Sequence, residues 1–196
     1  MLLKEHLNGY RLILASASPR RRQLLADCDL AFEVAPKFEC EESFPKSMPS
    51  DEVAEYLSGV KSDAYPQPLN PNEVLITADT VVIVDDEILG KPSDAAEACA
   101  MLEKLSGRSH KVVTGVTLRS CDRRCSFSVE SRVQFRALKR EEIEYYINEY
   151  RPFDKAGAYG IQEWIGCVAI EGIEGSFYNV MGLPIQRLYV ELERFV

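Results

Sequence analysis

The sequence predicts an α/β fold built on a mixed sheet. Three observations carry this. Apolar, β-branched runs alternate with stretches of helical periodicity early in the chain, and a β-rich stretch follows in the middle. A chain of 196 residues with 46% hydrophobic side chains is long enough to bury a sizeable core. Early alternation suits parallel neighbours and the later run of strands does not, so the sheet mixes both pairings. The length fits a single domain spanning 1–196.

Leu12-Ile13-Leu14-Ala15 reads as a buried first strand. Ser18 suits a helix N-cap and Pro19 the first helical position, which predicts a helix reaching Ala26. Phe32 to Val34 is a short strand, and the acidic, Pro-bearing stretch 36–49 is a loop. Ser50 is expected to cap a helix whose Val53, Leu57, Val60 and Ala64 form an apolar stripe. After the turn-rich 66–71, Val74 to Thr77 and Val81 to Val84 read as strand segments interrupted by Ala78-Asp79-Thr80. Asp85-Asp86-Glu87 is a hairpin tip from which Ile88-Leu89 returns. Ser93 is expected to cap the next helix, with Gly107 just past its end. Val112 to Leu118 and Ser126 to Phe135 are strands, and Glu141 to Tyr150 is a helix. The Gly- and Ala-rich 154–162 is irregular, Cys167 to Ile170 a strand and 176–184 a loop. Pro184 opens a last helix whose Ile185, Leu188, Tyr189 and Leu192 face the core.

A net charge of −8 argues against duplex nucleic acid as a partner, because binding it means neutralising many phosphates. Six scattered cysteines without a Cys-x-x-Cys pair fit reduced thiols in a cytoplasmic protein better than a disulfide framework. The N-terminus lacks a signal-peptide apolar stretch, and no run is long enough to span a bilayer, so a membrane is not expected as a partner. Gly-x-x-x-x-Gly-Lys-Ser/Thr, Gly-x-Gly-x-x-Gly and His-Glu-x-x-His motifs are absent.

The chemistry-bearing residues start at Ser16-Ala17-Ser18-Pro19-Arg20-Arg21-Arg22, at the strand-to-helix junction. Three arginines in a first helical turn oppose the macrodipole at roughly 0.3–1 kcal/mol each. Either an anion offsets this, held by backbone N–H groups, serine hydroxyls and guanidinium forks, or the turn is a solvated basic surface. Asp79 lies in an apolar segment, where a carboxylate is a turn residue, a metal ligand or a general base. Lys91, between Gly90 and Pro92, is a phosphate contact or a solvated turn lysine, and Lys61 enters a cleft or snorkels over the core. Among Glu39, Glu41 and Glu42, a solvated loop and a hard-cation site compete. Lys155, Tyr159 and Gln162 lie in a small-residue stretch that either approaches a ligand or makes a tight turn. His6 and His110 show no triad or metal spacing and read as structural.

Ser16-Ala17-Ser18-Pro19-Arg20-Arg21, Ala78-Asp79-Thr80, Gly90-Lys91-Pro92, Ser106 to His110, Asp154 to Gln162 and Asn179 to Pro184 together resemble the Maf family in order and spacing, over nearly the whole chain. The resemblance implies a nucleoside triphosphate pyrophosphatase with a divalent cation, Mg²⁺ or Mn²⁺. It also implies a cytoplasmic, nucleotide-pool housecleaning role. The implied fold is inosine triphosphate pyrophosphatase-like, a mixed twisted sheet in two lobes around a central cleft. By position, Asp79 matches the proton acceptor, and Arg20, Thr80 and Gln162 match the positions that mark substrate choice. The segment ending in Gln162 is similar to that of the subgroup acting on dTTP and UTP. Ser16, Arg21, Lys61 and Lys91 match polar cleft positions, with Lys155 as a further substrate-binding candidate. Asp79 and Glu42 are the candidate metal ligands. Relatives of this kind commonly form homodimers. A non-catalytic nucleotide-binding regulator of cell division is the alternative reading. Glu163-Trp164 departs from the family, which usually has glycine after Gln162; the Trp is there to stack on a base or to pack.

Overall fold

The strand over Glu73–Val84 is a largely apolar run with a charge at its middle. In the computed structural model, which describes residues 2–196, the strands are β1 (Arg11–Leu14), β2 (Phe32–Val34), β3 (Glu73–Val84), β4 (Glu87–Leu89), β5 (Ser109–Arg119), β6 (Arg124–Phe135) and β7 (Ile170–Glu174). The helices are α1 (Leu3–His6), α2 (Pro19–Ala26), α3 (Val53–Ala64), α4 (Ala95–Leu105), α5 (Arg140–Tyr150), α6 (Trp164–Ala169), α7 (Phe177–Met181) and α8 (Ile185–Phe195). All seven strands join one sheet in the order β2-β1-β3-β5-β6-β7, with β4 on β3. β1 runs parallel to both neighbours, placing Leu12 beside Phe32 and Val74. β4 and β7 pair antiparallel with β3 and β6. The sheet is therefore mixed, as the sequence predicts.

The chain divides into two compact units. The first runs to Asp79 and takes in Thr114–Val129 and Gly182–Val196; the second comprises Thr80–Val113 and Glu130–Met181. In the first, Leu12, Leu14, Leu25, Val53, Leu75, Ile76, Leu118 and Leu188 are buried. α3 lies directly on β5: a Cβ on Gly115 would sit 2.3 Å from the Ala54 carbonyl oxygen. The same helix is pinned by polar bonds, Thr77 Oγ1 donating to the Ser58 carbonyl (2.7 Å) and the Ser58 and Thr117 hydroxyls sharing a bond of 2.8 Å. The core of the second unit gathers Val82, Val84, Leu102, Leu105, Phe135, Tyr146 and Tyr159.

Several boundaries differ from the sequence reading. β3 continues unbroken through Ala78-Asp79-Thr80. Glu52, not Ser50, stands at the N-cap of α3. Asp94, not Ser93, caps α4 by accepting the Glu97 N–H, and Ser93 instead binds the Glu97 carboxylate. Cys167 lies in α6, and the strand starts only at Ile170. The 176–184 loop contains the short α7. α1 has no counterpart in the sequence reading. The six cysteines are free thiols. Among the described residues no helix is long and apolar enough to cross a membrane.

Candidate active site

The β1–α2 junction builds the first part of the site. Ser18 holds the N-cap position of α2, with Pro19 first in the helix, but its hydroxyl makes no capping bond. Its N–H donates instead to Ser16 Oγ (3.2 Å), folding the serine turn inward. Arg21, one turn into α2, reaches back: Nη1 donates to Ser16 Oγ (3.3 Å) and to the Ala78 carbonyl (2.8 Å), and Nε to the Gly182 carbonyl (2.7 Å). Burial pushes this guanidinium below its ordinary pKa; the Asp79 carboxylate is the strongest opposing influence, Arg20 adds to the lowering and Glu42 opposes it. Arg20 itself is half-buried.

Strand periodicity supplies the second part. Thr77 and Asp79 lie two apart on β3 and so share a face. Thr77 bonds to Ser58 of α3, and Lys61 is one helical turn beyond Ser58. The Lys61 ammonium consequently meets the Asp79 carboxylate, with Nζ 2.5 Å from Oδ1. Glu42, from the loop before α3, approaches the same ammonium at 3.1 Å. Asp79 and Lys61 side chains are only 13% and 14% exposed, which is tolerable for ions because they are paired. Lys61 thus bridges the two carboxylates, and the Arg21 guanidinium feels Asp79, Glu42 and the neighbouring Arg20, so cations and anions are concentrated at one place. All of these residues belong to the first unit.

Sequence reading missed Cys40 here. Burial raises its thiol pKa, with Glu42 and Asp79 raising it further and Lys61 opposing them, so it lies beside the carboxylate pair. It also missed Ser58, Thr77 and Thr117 as the pins that deliver Lys61; the Thr77–Asp79 alternation was the available signal.

Asp79 and Glu42 are hard oxygen donors converging on one point, and such a pair fits a divalent cation that takes its other ligands from phosphate oxygens and water. Among the described residues no three His, Cys, Asp or Glu side chains gather into a metal site of their own.

The remaining candidates belong to the second unit. Thr80 is half-buried on β3, and Lys91 is exposed. The Gly90 carbonyl accepts the Gly157 N–H (3.0 Å), tying the Gly-Lys-Pro segment to the small-residue stretch. Lys155 is buried, its ammonium between Asp154 (2.7 Å) and Glu163 (3.1 Å). Tyr146 donates to Glu163 and accepts the Gly160 N–H (3.0 Å), and burial together with the Glu163 contact pushes its phenol well above the ordinary range. Glu163, where the chain departs from the resemblance, is thus the hub that fixes the turn before exposed Gln162. Trp164 packs edge-on against Tyr145, ring centres 5.0 Å apart. His110 is a core histidine bonded to the Tyr159 hydroxyl (2.7 Å), as the sequence suggests.

The Maf-like protein family matches residues 11–195. The dTTP/UTP pyrophosphatase of Parabacteroides distasonis is 51% identical over 191 residues, covering 97% of this chain and 99% of that protein. The protein of the same name from Porphyromonas gingivalis strain ATCC 33277 is 50% identical over 193 residues, 97% of each chain. Among solved structures, the Ham1 protein of Staphylococcus aureus superposes with a TM-score of 0.51 at 18% identity, covering 95% of this chain and 100% of the other, a likeness of fold.

Proposed function

The chain belongs to the Maf-like protein family, and from that membership we propose that it is a nucleoside triphosphate pyrophosphatase that hydrolyses dTTP and UTP to the monophosphate and pyrophosphate. One observation supports the chemistry above all: a largely buried carboxylate, Asp79, is paired with Lys61 and lies within the field of the Arg21 guanidinium. Such a cluster grips a polyphosphate and places a base beside it. We assign the protein a nucleotide-pool housecleaning role in the cytoplasm.

Arg20, at the positive end of the α2 dipole, binds phosphate oxygens through charge-assisted hydrogen bonds. Arg21 commits Nε and Nη1 to the Gly182 and Ala78 carbonyls, and so fixes the strand immediately before Asp79. Asp79 orients the attacking water toward the α phosphorus and takes its proton. A free carboxylate is a weak base, so positioning and electrostatics carry most of the rate. Lys61 neutralises charge that develops on the departing pyrophosphate. A divalent cation, Mg²⁺ or Mn²⁺, held by Asp79 and Glu42, supplies further charge neutralisation and lowers the pKa of bound water when present. Thr80, Lys91 and Gln162 are assigned to substrate contact and choice, Gln162 through an amide that matches the donor–acceptor edge of a pyrimidine. Lys155, held by two carboxylates, supports the turn that carries Gln162.

Pyrophosphate release from purified protein with Mg²⁺, compared across dTTP, UTP, CTP and 7-methyl-GTP, tests the reading. Highest kcat/KM on dTTP and UTP is expected. Nucleotide binding without pyrophosphate release from any of the four would overturn it.

A further inference from the structure

We propose that Lys61 is a built-in counter-ion that occupies the cation position between Asp79 and Glu42, so that metal loading waits for the nucleotide. The idea deepens the pyrophosphatase reading and rests on it for the identity of the ligand that draws Lys61 away. Its own basis is geometric. One ammonium lies 2.5 Å from Asp79 Oδ1 and 3.1 Å from Glu42 Oε2, the two oxygens that a hard cation would use. The Lys61 backbone is not free to retreat, because Ser58, one turn earlier, is bonded to Thr77 and Thr117. The head group is free to swing on its four-carbon stem.

A divalent ion and an ammonium repel each other, so they do not share this carboxylate pair at close range. In nucleotide-free protein the ammonium competes with the metal. A triphosphate changes the balance by offering Lys61 several anionic oxygens as new partners. The same phosphate oxygens complete the metal's coordination. Arg21 commits Nε and Nη1 to the Gly182 and Ala78 carbonyls and so stays in place when Lys61 moves. The arrangement keeps both carboxylates in place between turnovers and offsets part of their mutual repulsion, which limits the cost of holding like charges together in a largely buried site.

The test is direct Mn²⁺ binding to the full chain, by calorimetry or by the electron paramagnetic resonance signal of free Mn²⁺, without nucleotide. Lys61→Met removes the competing charge and should tighten Mn²⁺ binding roughly tenfold or more over wild type at low salt. Lys61→Gln, a polar replacement, should shift affinity the same way and serves if the Met variant does not fold. Adding Asp79→Asn to either variant should abolish the gain. An α,β-methylene analogue of dTTP should tighten Mn²⁺ binding more in wild type than in the Lys61 variants. Unchanged or weaker Mn²⁺ binding after loss of Lys61, a gain that survives Asp79→Asn, or equal analogue effects in wild type and variants would overturn the proposal. Failure of the pyrophosphatase reading appears separately, as absence of pyrophosphate release by wild type, while the nucleotide-free comparison still reports on Lys61.

Discussion

Acidification should destabilise the second unit through one residue, His110. Its ring is 2% exposed and packs edge-on to Phe135 and Tyr159, with centres 5.0 and 5.4 Å away. Nε2 shares a bond with the Tyr159 hydroxyl, but Nδ1 is buried with no hydrogen-bond partner among the described residues. A charged ring needs an acceptor at both nitrogens, and one is missing. Burial accordingly lowers the pKa from 6.5 to about 4. Between those values the unfolded chain binds a proton that the folded chain refuses, so stability rises with pH across the window. The contribution is fully present above the unfolded value and is lost as pH falls toward 4. Going from pH 7 to about pH 4.5 should cost about 2.5 kcal/mol from this residue alone. Urea unfolding of wild type and His110→Gln at both pH values isolates it, since other groups titrate alike in the two proteins. The variant should be less stable at pH 7 but lose about 2.5 kcal/mol less on acidification. Equal losses in the two proteins would refute the reasoning.

Two further outcomes follow from the first unit. Gly115→Ala forces a Cβ to within 2.3 Å of α3 backbone, where no flexible side chain is available to yield; stability should fall by about 1–3 kcal/mol or more, read from a urea midpoint. Arg21→Lys keeps the charge but loses the fork that joins the Gly182 and Ala78 carbonyls; kcat should drop roughly tenfold to a hundredfold with little change in KM, whereas a direct phosphate role would show as a raised KM in steady-state kinetics.

Local chemistry was legible wherever neighbours in sequence set it. The Ser18–Pro19 helix start, the first strand to within one residue, and the last helix stand where the sequence puts them. Asp79 was the instructive failure. A carboxylate amid β-branched residues reads as a break because burying it unpaired is expensive. Its partner Lys61 lies 18 positions earlier, so the compensation that lets β3 run straight through is a tertiary contact. Lys155 was open between a ligand contact and a tight turn, and its ion pairs with Glu163 and Asp154 are again tertiary or neighbour contacts that spacing does not reveal. At α4 the signal was off by one position, because Ser93 and Asp94 both seek groups of Glu97 and only Asp94 takes its backbone N–H. The 167–170 stretch carries β-branched residues, yet α6 extends to Ala169, which is fully buried.

The measurement that bears most directly on the account is pyrophosphate release from dTTP by Asp79→Asn beside wild type, with unfolding midpoints confirming that both are folded. Asn keeps the shape and an oxygen for Lys61 while removing the charge and the basicity. The account predicts a loss of roughly a hundredfold to ten-thousandfold in kcat. Wild-type turnover by the folded Asn variant would contradict it.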